Sequence, residues 1–258
     1  MNSQSSRMLL SKNDPSPVRI LNTRGLSPFL LIGDHAGKAV PRSMGRLGLS
    51  NAAIGTHIGW DIGVAGLGER LSATLDAVFI CQTYSRLVID CNRDPHAPDA
   101  VPDVSDGTLV PANLGLTAEG RAARIGEIHA PYHDAIANEL ARRDAAGRET
   151  ILVSLHSFTP AMHGLFRPWQ IGILHAGGNP PFALTLLQLL QTSGDLTVGD
   201  NQPYAMDGTD YTVPRHAFGA RRRYAEIEIR QDMLATNEQQ LSWTNLLTAQ
   251  LRKAALPT

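Results

Sequence analysis

Two histidines, His35 and His156, stand at the ends of short apolar runs, Phe29-Leu-Leu-Ile-Gly33 followed by Asp34-His35 in one case and Thr150-Ile-Leu-Val-Ser-Leu155 followed by His156 in the other. A neutral imidazole is a good zinc ligand, and a catalytic zinc commonly takes three protein ligands and one water. Two acidic residues compete for the third position. Asp61, in Gly59-Trp-Asp-Ile-Gly63, opens the segment after His35; Asp34 is adjacent to His35, but an Asp beside a ligand His more often orients the ring from behind. Hydrolysis also needs a group that takes a proton from water and returns it to the leaving amine. Glu226 and Glu228 alternate with isoleucines in Tyr224-Ala-Glu-Ile-Glu-Ile-Arg230, so both point from one face of a strand. A carboxylate on a buried strand is costly unless paired or bound. Glu228, near the strand end, is the candidate base, and Glu226 is expected to pair with arginines such as Arg221 to Arg223.

A substrate with carboxylates needs cations. Arg86 and Arg93 bracket an apolar stretch, and an arginine fork matches a carboxylate bidentately. Either also has the charge to polarise a scissile carbonyl, the role expected of Arg86. Asn201 and Tyr204 offer neutral hydrogen bonds, and His216 in Pro214-Arg-His-Ala217 is a further substrate or supporting group. His129 and His133, four apart, share a helix face without the glutamate of an HExxH motif, which suggests an ordinary helix surface. Neither a Gly-x-Ser-x-Gly elbow nor a glycine-rich phosphate loop is present, which argues against a serine hydrolase and a nucleotide enzyme.

These residues need a frame. Besides the runs that precede His35 and His156, strands are expected at Ala77–Cys81, Leu87–Asp90, Ile171–Leu174, Leu196–Val198 and Ala225–Arg230. Helical patterns fall at Asp61–Thr74, Thr117–Arg143, Pro181–Leu190 and Gln231–Lys253. Thr117 is a plausible N-cap with Gly120 where a capping box wants Glu or Gln, and Pro131 should bend or split that helix. The alternation predicts an α/β three-layer sandwich around a mixed, mostly parallel sheet. In open α/β sheets, sites lie beyond the carboxyl ends of strands, which lets His35 and His156 converge. The stretch Asp94–Asn113, with prolines at 95, 98, 102 and 111, has little periodicity and reads as a flap over the site.

At 258 residues, with 43% hydrophobic and 18% charged residues, the chain suits one α/β domain over residues 18–258, with residues 1–17 as a loose tail. A net charge of −1 gives no general field for nucleic acid or an anionic membrane. Only Cys81 and Cys91 are present, no secretory signal stands at the start, and no run approaches a membrane span. A cytoplasmic location follows as an expectation; composition says nothing of oligomeric state.

The pieces Asp34-His-Ala-Gly37, Trp60-Asp-Ile-Gly63, Ser85-Arg-Leu-Val-Ile-Asp-Cys-Asn-Arg93, His156-Ser-Phe-Thr-Pro160, Asp200-Asn-Gln-Pro-Tyr204 and Glu226-Ile-Glu-Ile-Arg230 stand in the order found in N-formylglutamate amidohydrolases, and the chain resembles that family from about Phe29 to Asp232. The resemblance implies the phosphorylase/hydrolase-like sandwich shared with zinc carboxypeptidases, one zinc ion at His35 and His156, and Glu228 as the general base. Similar cell-wall amidases use an acidic residue on the helix after the first His, an analogy that supports Asp61. His35-Ala-Gly-Lys38 departs from the carboxypeptidase His-x-x-Glu, and Ala36 stands where many relatives have Ser. The expected reaction is hydrolysis of a small N-acyl amino acid, N-formylglutamate or a relative. The alternatives are a zinc peptidase or cell-wall amidase on the same scaffold, and a non-catalytic amino-acid-binding module.

Overall fold

The computed structural model describes residues 8–194 and 196–256. Its strands are β1 (Val18–Leu21), β2 (Phe29–Gly33), β3 (Val78–Gln82), β4 (Val104–Ser105), β5 (Thr108–Leu109), β6 (Ile151–Phe158), β7 (Ala161–Met162), β8 (Leu165–Phe166), β9 (Ile171–Leu174), β10 (Val198–Asp200) and β11 (Arg223–Arg230). The α-helices are α1 (Asn51–Ile54), α2 (Val64–Leu75), α3 (Ala118–Arg124), α4 (Ala130–Ala145), α5 (Pro181–Gln191) and α6 (Asn237–Ala254).

Seven strands form one sheet in the order β1-β3-β2-β6-β11-β9-β10. The pairs β3/β2, β2/β6, β6/β11 and β9/β10 are parallel, whereas β1/β3 and β11/β9 are antiparallel. The expected mixed, mostly parallel sheet is therefore present. Its central strands are buried on both faces, which is why they read as unbroken apolar runs. Alternate residues of β6 and β11, such as Val153, Leu155, Ala225, Ile227 and Ile229, pack with Leu67, Phe182 and Trp243 of α2, α5 and α6 in one core. On the other face Leu30, Ile32, Leu152 and Tyr224 pack with Tyr132, Ile136 and Leu140 of α4. His156, Glu226 and Glu228 belong to this second face by the two-residue period of a strand.

Several expectations change. Leu87–Asp90 is not a strand: the Ser85 hydroxyl accepts from the Leu87 N–H, Val88 N–H bonds Ser85 O, and the run turns instead of joining the sheet. Its apolar side chains sit in a small third core with Leu47, Tyr84, Val101, Val110 and Ile128. That core anchors the Asp94–Asn113 stretch, which carries the β4–β5 hairpin. The edge strand β1, absent from the sequence reading, pairs antiparallel with β3. The last helix begins at Asn237, where Thr236 and Gln239 form a capping box. Thr117 does cap α3 by accepting from Gly120 N–H. The helix carrying Pro131 is interrupted by a π-helical segment at Ile125–His129, because proline has no N–H for the regular ladder. Residues 8–17 are tied down: Glu127 accepts from Leu9 and Leu10 N–H, and Tyr84 donates to Pro15 O. The rest of the expected tail, residues 1–7, lies outside the described residues.

Candidate metal centre

The chain leaves β2 at Gly33 and places Asp34 and His35 at the carboxyl edge of the sheet. His156 lies within β6, which runs on to Phe158, and pairs in register with Glu228 of β11. Asp61 arrives from the turn before α2. Its N–H donates to His35 O, and Gly63, at φ +88°, makes the left-handed turn into the helix. His35, Asp61 and His156 are thereby brought together and buried, each able to offer an atom within 4.8 Å of the others. Asp61 Oδ2 lies 3.0 Å from His156 Nδ1 and 3.6 Å from His35 Nδ1.

Each ring is oriented from behind. His35 Nε2 donates to Asp90 Oδ1 at 2.7 Å, which leaves Nδ1 as the lone-pair nitrogen; that atom is buried without a hydrogen-bond partner. His156 Nε2 faces Asp34 Oδ2 at 3.3 Å and Ser154 Oγ at 3.0 Å, while its Nδ1 faces Asp61. Both Nδ1 atoms thus face Asp61, that of His156 in a hydrogen bond and that of His35 without one, while the Nε2 atoms face Asp90 and Asp34 behind the rings. Asp34 Oδ2 faces the ring of His156, at 3.3 Å, rather than that of its neighbour His35, while its Oδ1 accepts from Thr212 Oγ1. A buried, partnerless imidazole nitrogen beside a carboxylate and a second imidazole fits a divalent ion of the zinc type.

The charges match that fit. Burial opposes ionisation of Asp61, but His35 and His156 outweigh it and hold its carboxyl well below the usual range. Burial and Arg86 work against a proton on His35, yet Asp90 and Asp61 raise its pKa; His156 is raised further, against burial, by Asp34 and Asp61. Glu228 is pushed up to about 7 by burial, and Glu226 is driven well above its ordinary value by burial, with Asp210 and Glu228 adding to it against the pull of His156. The expected ion pair of Glu226 with Arg221–Arg223 does not form: Arg222 bonds Asp144 and Arg223 bonds Glu149, at the far end of β11. Glu226 lies instead on the wall of the site, in register with Ser154.

His35, Asp61, His156, Glu226 and Glu228 line one cavity of about 530 Å³. Arg86, Arg93 and Tyr204 also line it, as do Asp99, Pro102, Ser105 and Asp106 of the expected flap. Arg86 is spent largely on neighbours: Nε and Nη2 donate to Asp90 Oδ2, and Nη1 lies 3.6 Å from Asp61 Oδ1. Arg93 bonds Asp99 at 3.0 Å and the carbonyls of Asn92 and Thr209, so it braces the flap. Asn201 and His216 are not on the cavity wall. Asn201 Oδ1 accepts from His175 N–H, and His216 Nε2 is 3.0 Å from His133 Nδ1 in a buried pair. His129 and His133 are buried rather than on a helix surface. His133 Nε2 donates to Cys91 O and supports the turn carrying Asp90.

Sequence reasoning missed Asp90 and Asp210. Asp90 ends the apolar run Leu87–Ile89, a position whose partner is 55 residues away in sequence. Asp210, on the wall, accepts from Asn92 Nδ2; its only signal is the acidic loop Asp207–Asp210.

The sequence model described as N-formylglutamate amidohydrolase matches residues 27–235. A gene product of Agrobacterium tumefaciens of known crystal structure shares 35% identity, covering 95% of this chain and 97% of that one, with a TM-score of 0.92. An N-formylglutamate amidohydrolase from Ralstonia eutropha is 18% identical, over 93% of this chain and 97% of its own, and shares the fold at a TM-score of 0.74. No curated protein matches in sequence.

Proposed function

The chain belongs to the N-formylglutamate amidohydrolase family, and from that premise we propose that it hydrolyses the amide of a small N-acyl amino acid, N-formylglutamate or a relative, with one divalent metal ion, zinc by ligand type. The observation that carries this reading is the buried His35–Asp61–His156 group, whose imidazole nitrogens converge on one carboxylate beside Glu228 on a cavity wall.

His35 Nδ1, Asp61 and His156 Nδ1 would hold the ion, with Asp90 and Asp34 fixing the rings. When bound, such an ion acts as a Lewis acid that activates water and polarises a carbonyl oxygen. Glu228 is the general base. Its Oε2 is buried without a hydrogen-bond partner, and burial brings its pKa to about 7, where a carboxyl both accepts and returns a proton near neutrality. It takes the proton of the attacking water and delivers it to the leaving nitrogen as the C–N bond breaks, so a carboxylic acid and a free amino acid result. Arg86, fixed by Asp90, presents a cation at the cavity for the scissile carbonyl. Tyr204, also on the cavity wall, contributes a hydroxyl. A cavity of about 530 Å³ beneath an anchored flap suits a small substrate better than a wall polymer.

Elemental analysis of the wild type, His35→Ala and His156→Ala, with an assay of N-formylglutamate hydrolysis, tests the reading. About one metal ion per chain, lost in both variants together with hydrolysis, is the expected result. A protein that neither holds nor gains metal overturns it.

A further inference from the structure

The stretch Asp94–Asn113 is anchored at its ends and projects between them. Val101 and Val110 are buried in the third core, Asn113 Nδ2 donates to Pro102 O, and Val110 N–H donates to Asp103 O. From that closed base the β4–β5 hairpin stands out. Its strands are two residues each, too short to hold a shape without support. Ser105 pairs with Thr108 and Val104 with Leu109, so one face of the hairpin brings Ser105 to the cavity wall while the other leaves Val104 and Leu109 exposed. Among the described residues, Asp106 is the one member of Val104–Leu109 with a hydrogen bond or ion pair outside the hairpin.

Asp106 stands in the hairpin turn, where it and Gly107 take φ of +41° and +72°, the positive pair that a tight two-residue turn favours. Its carboxylate meets an imidazole on each oxygen. Oδ2 accepts from His57 Nε2 at 3.0 Å, and Oδ1 lies 3.5 Å from His163 Nδ1. His57 follows α1, and His163 occupies the turn of the β7–β8 hairpin. Two hairpin turns and the turn after α1 therefore meet at one carboxylate. His57, Asp106 and Met162 of β7 line the cavity, whereas His163 stands outside it. The side chains of Asp106, His57 and His163 are 25%, 28% and 74% exposed, against 3–4% for His35, Asp61 and His156, so this contact is at the outer rim, above the buried group.

We propose that the β4–β5 hairpin is a lid latched by Asp106 between His57 and His163, and that the latch limits the length of substrate: a single N-acyl amino acid is enclosed, and one extended by a further residue is turned away. The inference rests on the hydrolase reading above and adds the residues that set its size limit. Contacts at this exposure are individually weak, which suits a latch that must open to admit substrate and to release two products. Closed, it brings Ser105 and Asp106 over the cavity whose floor holds Asp61, His156 and Glu228, and a chain continuing out through the mouth would need the place of the three latched side chains. Asp106 makes no hydrogen bond or ion pair with the metal-ligand group or with Glu228, so its loss frees the lid without removing a reacting group.

The test compares kcat/KM for release of formate from N-formyl-L-glutamate and from N-formyl-L-glutamyl-L-alanine in the wild type, Asp106→Ala and Asp106→Asn. The preference of the wild type for the shorter compound should fall about 10-fold in Asp106→Ala, the worth of two exposed contacts together, and by less in Asp106→Asn, whose amide oxygen still accepts from His57. A preference unchanged in Asp106→Ala, or a wild type that takes the longer compound equally well, overturns the latch while leaving the hydrolase reading standing. If the wild type releases formate from neither compound, that reading fails, and hydrogen exchange over residues 103–110 decides the latch by itself. Exchange there about 10-fold faster in Asp106→Ala, with the rest of the chain unchanged, supports it. Equal exchange, or acceleration spread over the whole chain, overturns it.

Discussion

At the scale of single residues, the two histidines are prepared for a metal by what stands behind them. With Asp90 accepting from His35 Nε2, the free lone pair is obliged to be on Nδ1, the atom that faces Asp61. Replacing Asp90 with Asn keeps the shape but loses the charge that holds this tautomer and also releases Arg86. Metal affinity should fall about 10–100-fold, read by competition with a chromogenic chelator; unchanged affinity would remove Asp90 from the site. Glu228→Gln separates binding from chemistry: metal content should remain that of the wild type, while kcat falls at least about 100-fold. Appreciable residual turnover would exclude Glu228 as the base. The histidines and glutamates were legible in the sequence because they interrupt apolar strands, where a polar group needs a reason. Asp90 was not, since a carboxylate after Leu87-Val-Ile89 looks like an ordinary strand end until tertiary closure places it against His35. Nor was the fate of Glu226, because a pairing with the nearby Arg221–Arg223 ignored that strand residues several positions apart sit at opposite ends of the sheet.

At the scale of elements, the buried strands were legible and the connections were not. Strands β2, β3, β6, β9 and β11 are buried on both faces, so composition alone marks them. Leu87–Ile89 carries the same signal without being a strand, because burial in a side core demands apolar side chains as strongly as a sheet does. Edge strand β1 is partly exposed and lacks the signal altogether. The turn into α2 shows how an element controls the site. Gly63 sits at φ +88°, and a Cβ there would lie 2.4 Å from Leu234 Cβ. Gly63→Ala is therefore strained and crowded together. It should cost about 2–3 kcal/mol of stability by denaturant titration and, by shifting Asp61, weaken metal binding as well. A variant as stable as the wild type would mean that this turn relaxes freely and does not set the position of Asp61.

At the scale of the whole molecule, folding gathers groups that are mutually tolerable only with particular proton counts, and this makes stability depend on pH and on metal together. Glu228 has a pKa of about 7 in the folded protein against an ordinary 4.5. Below about 4.5 it is protonated folded or unfolded and contributes nothing; as pH rises towards 7 only the folded form must keep or lose that proton at a cost, reaching about 3 kcal/mol. Glu226, raised well above its ordinary value by burial, acts in the same direction. His156 has a raised pKa, so the stability from its contacts with Asp34 and Asp61 is present below its ordinary 6.5 and is lost as pH rises through the folded value. The carboxyl of Asp61, held low, adds stability above its ordinary 3.8 and is lost only in acid, outside this window. His129, His133 and His216, whose pKa values burial lowers, add stability as pH rises to the ordinary 6.5 and offset this loss below it. Between pH 6.5 and 8 the metal-free protein should therefore melt at progressively lower temperature, and Glu228→Gln should flatten part of that slope. A divalent ion replaces protons on the two imidazoles and favours the neighbouring carboxylates, so its stabilisation should grow over the same range. Scanning calorimetry of the metal-free and zinc-loaded protein at several pH values reads the difference directly. A gap in Tm that widens with pH places these groups around one cation site. A constant gap, or a metal-free Tm that rises with pH above 6.5, would mean that the titrating groups and the ion do not share a site.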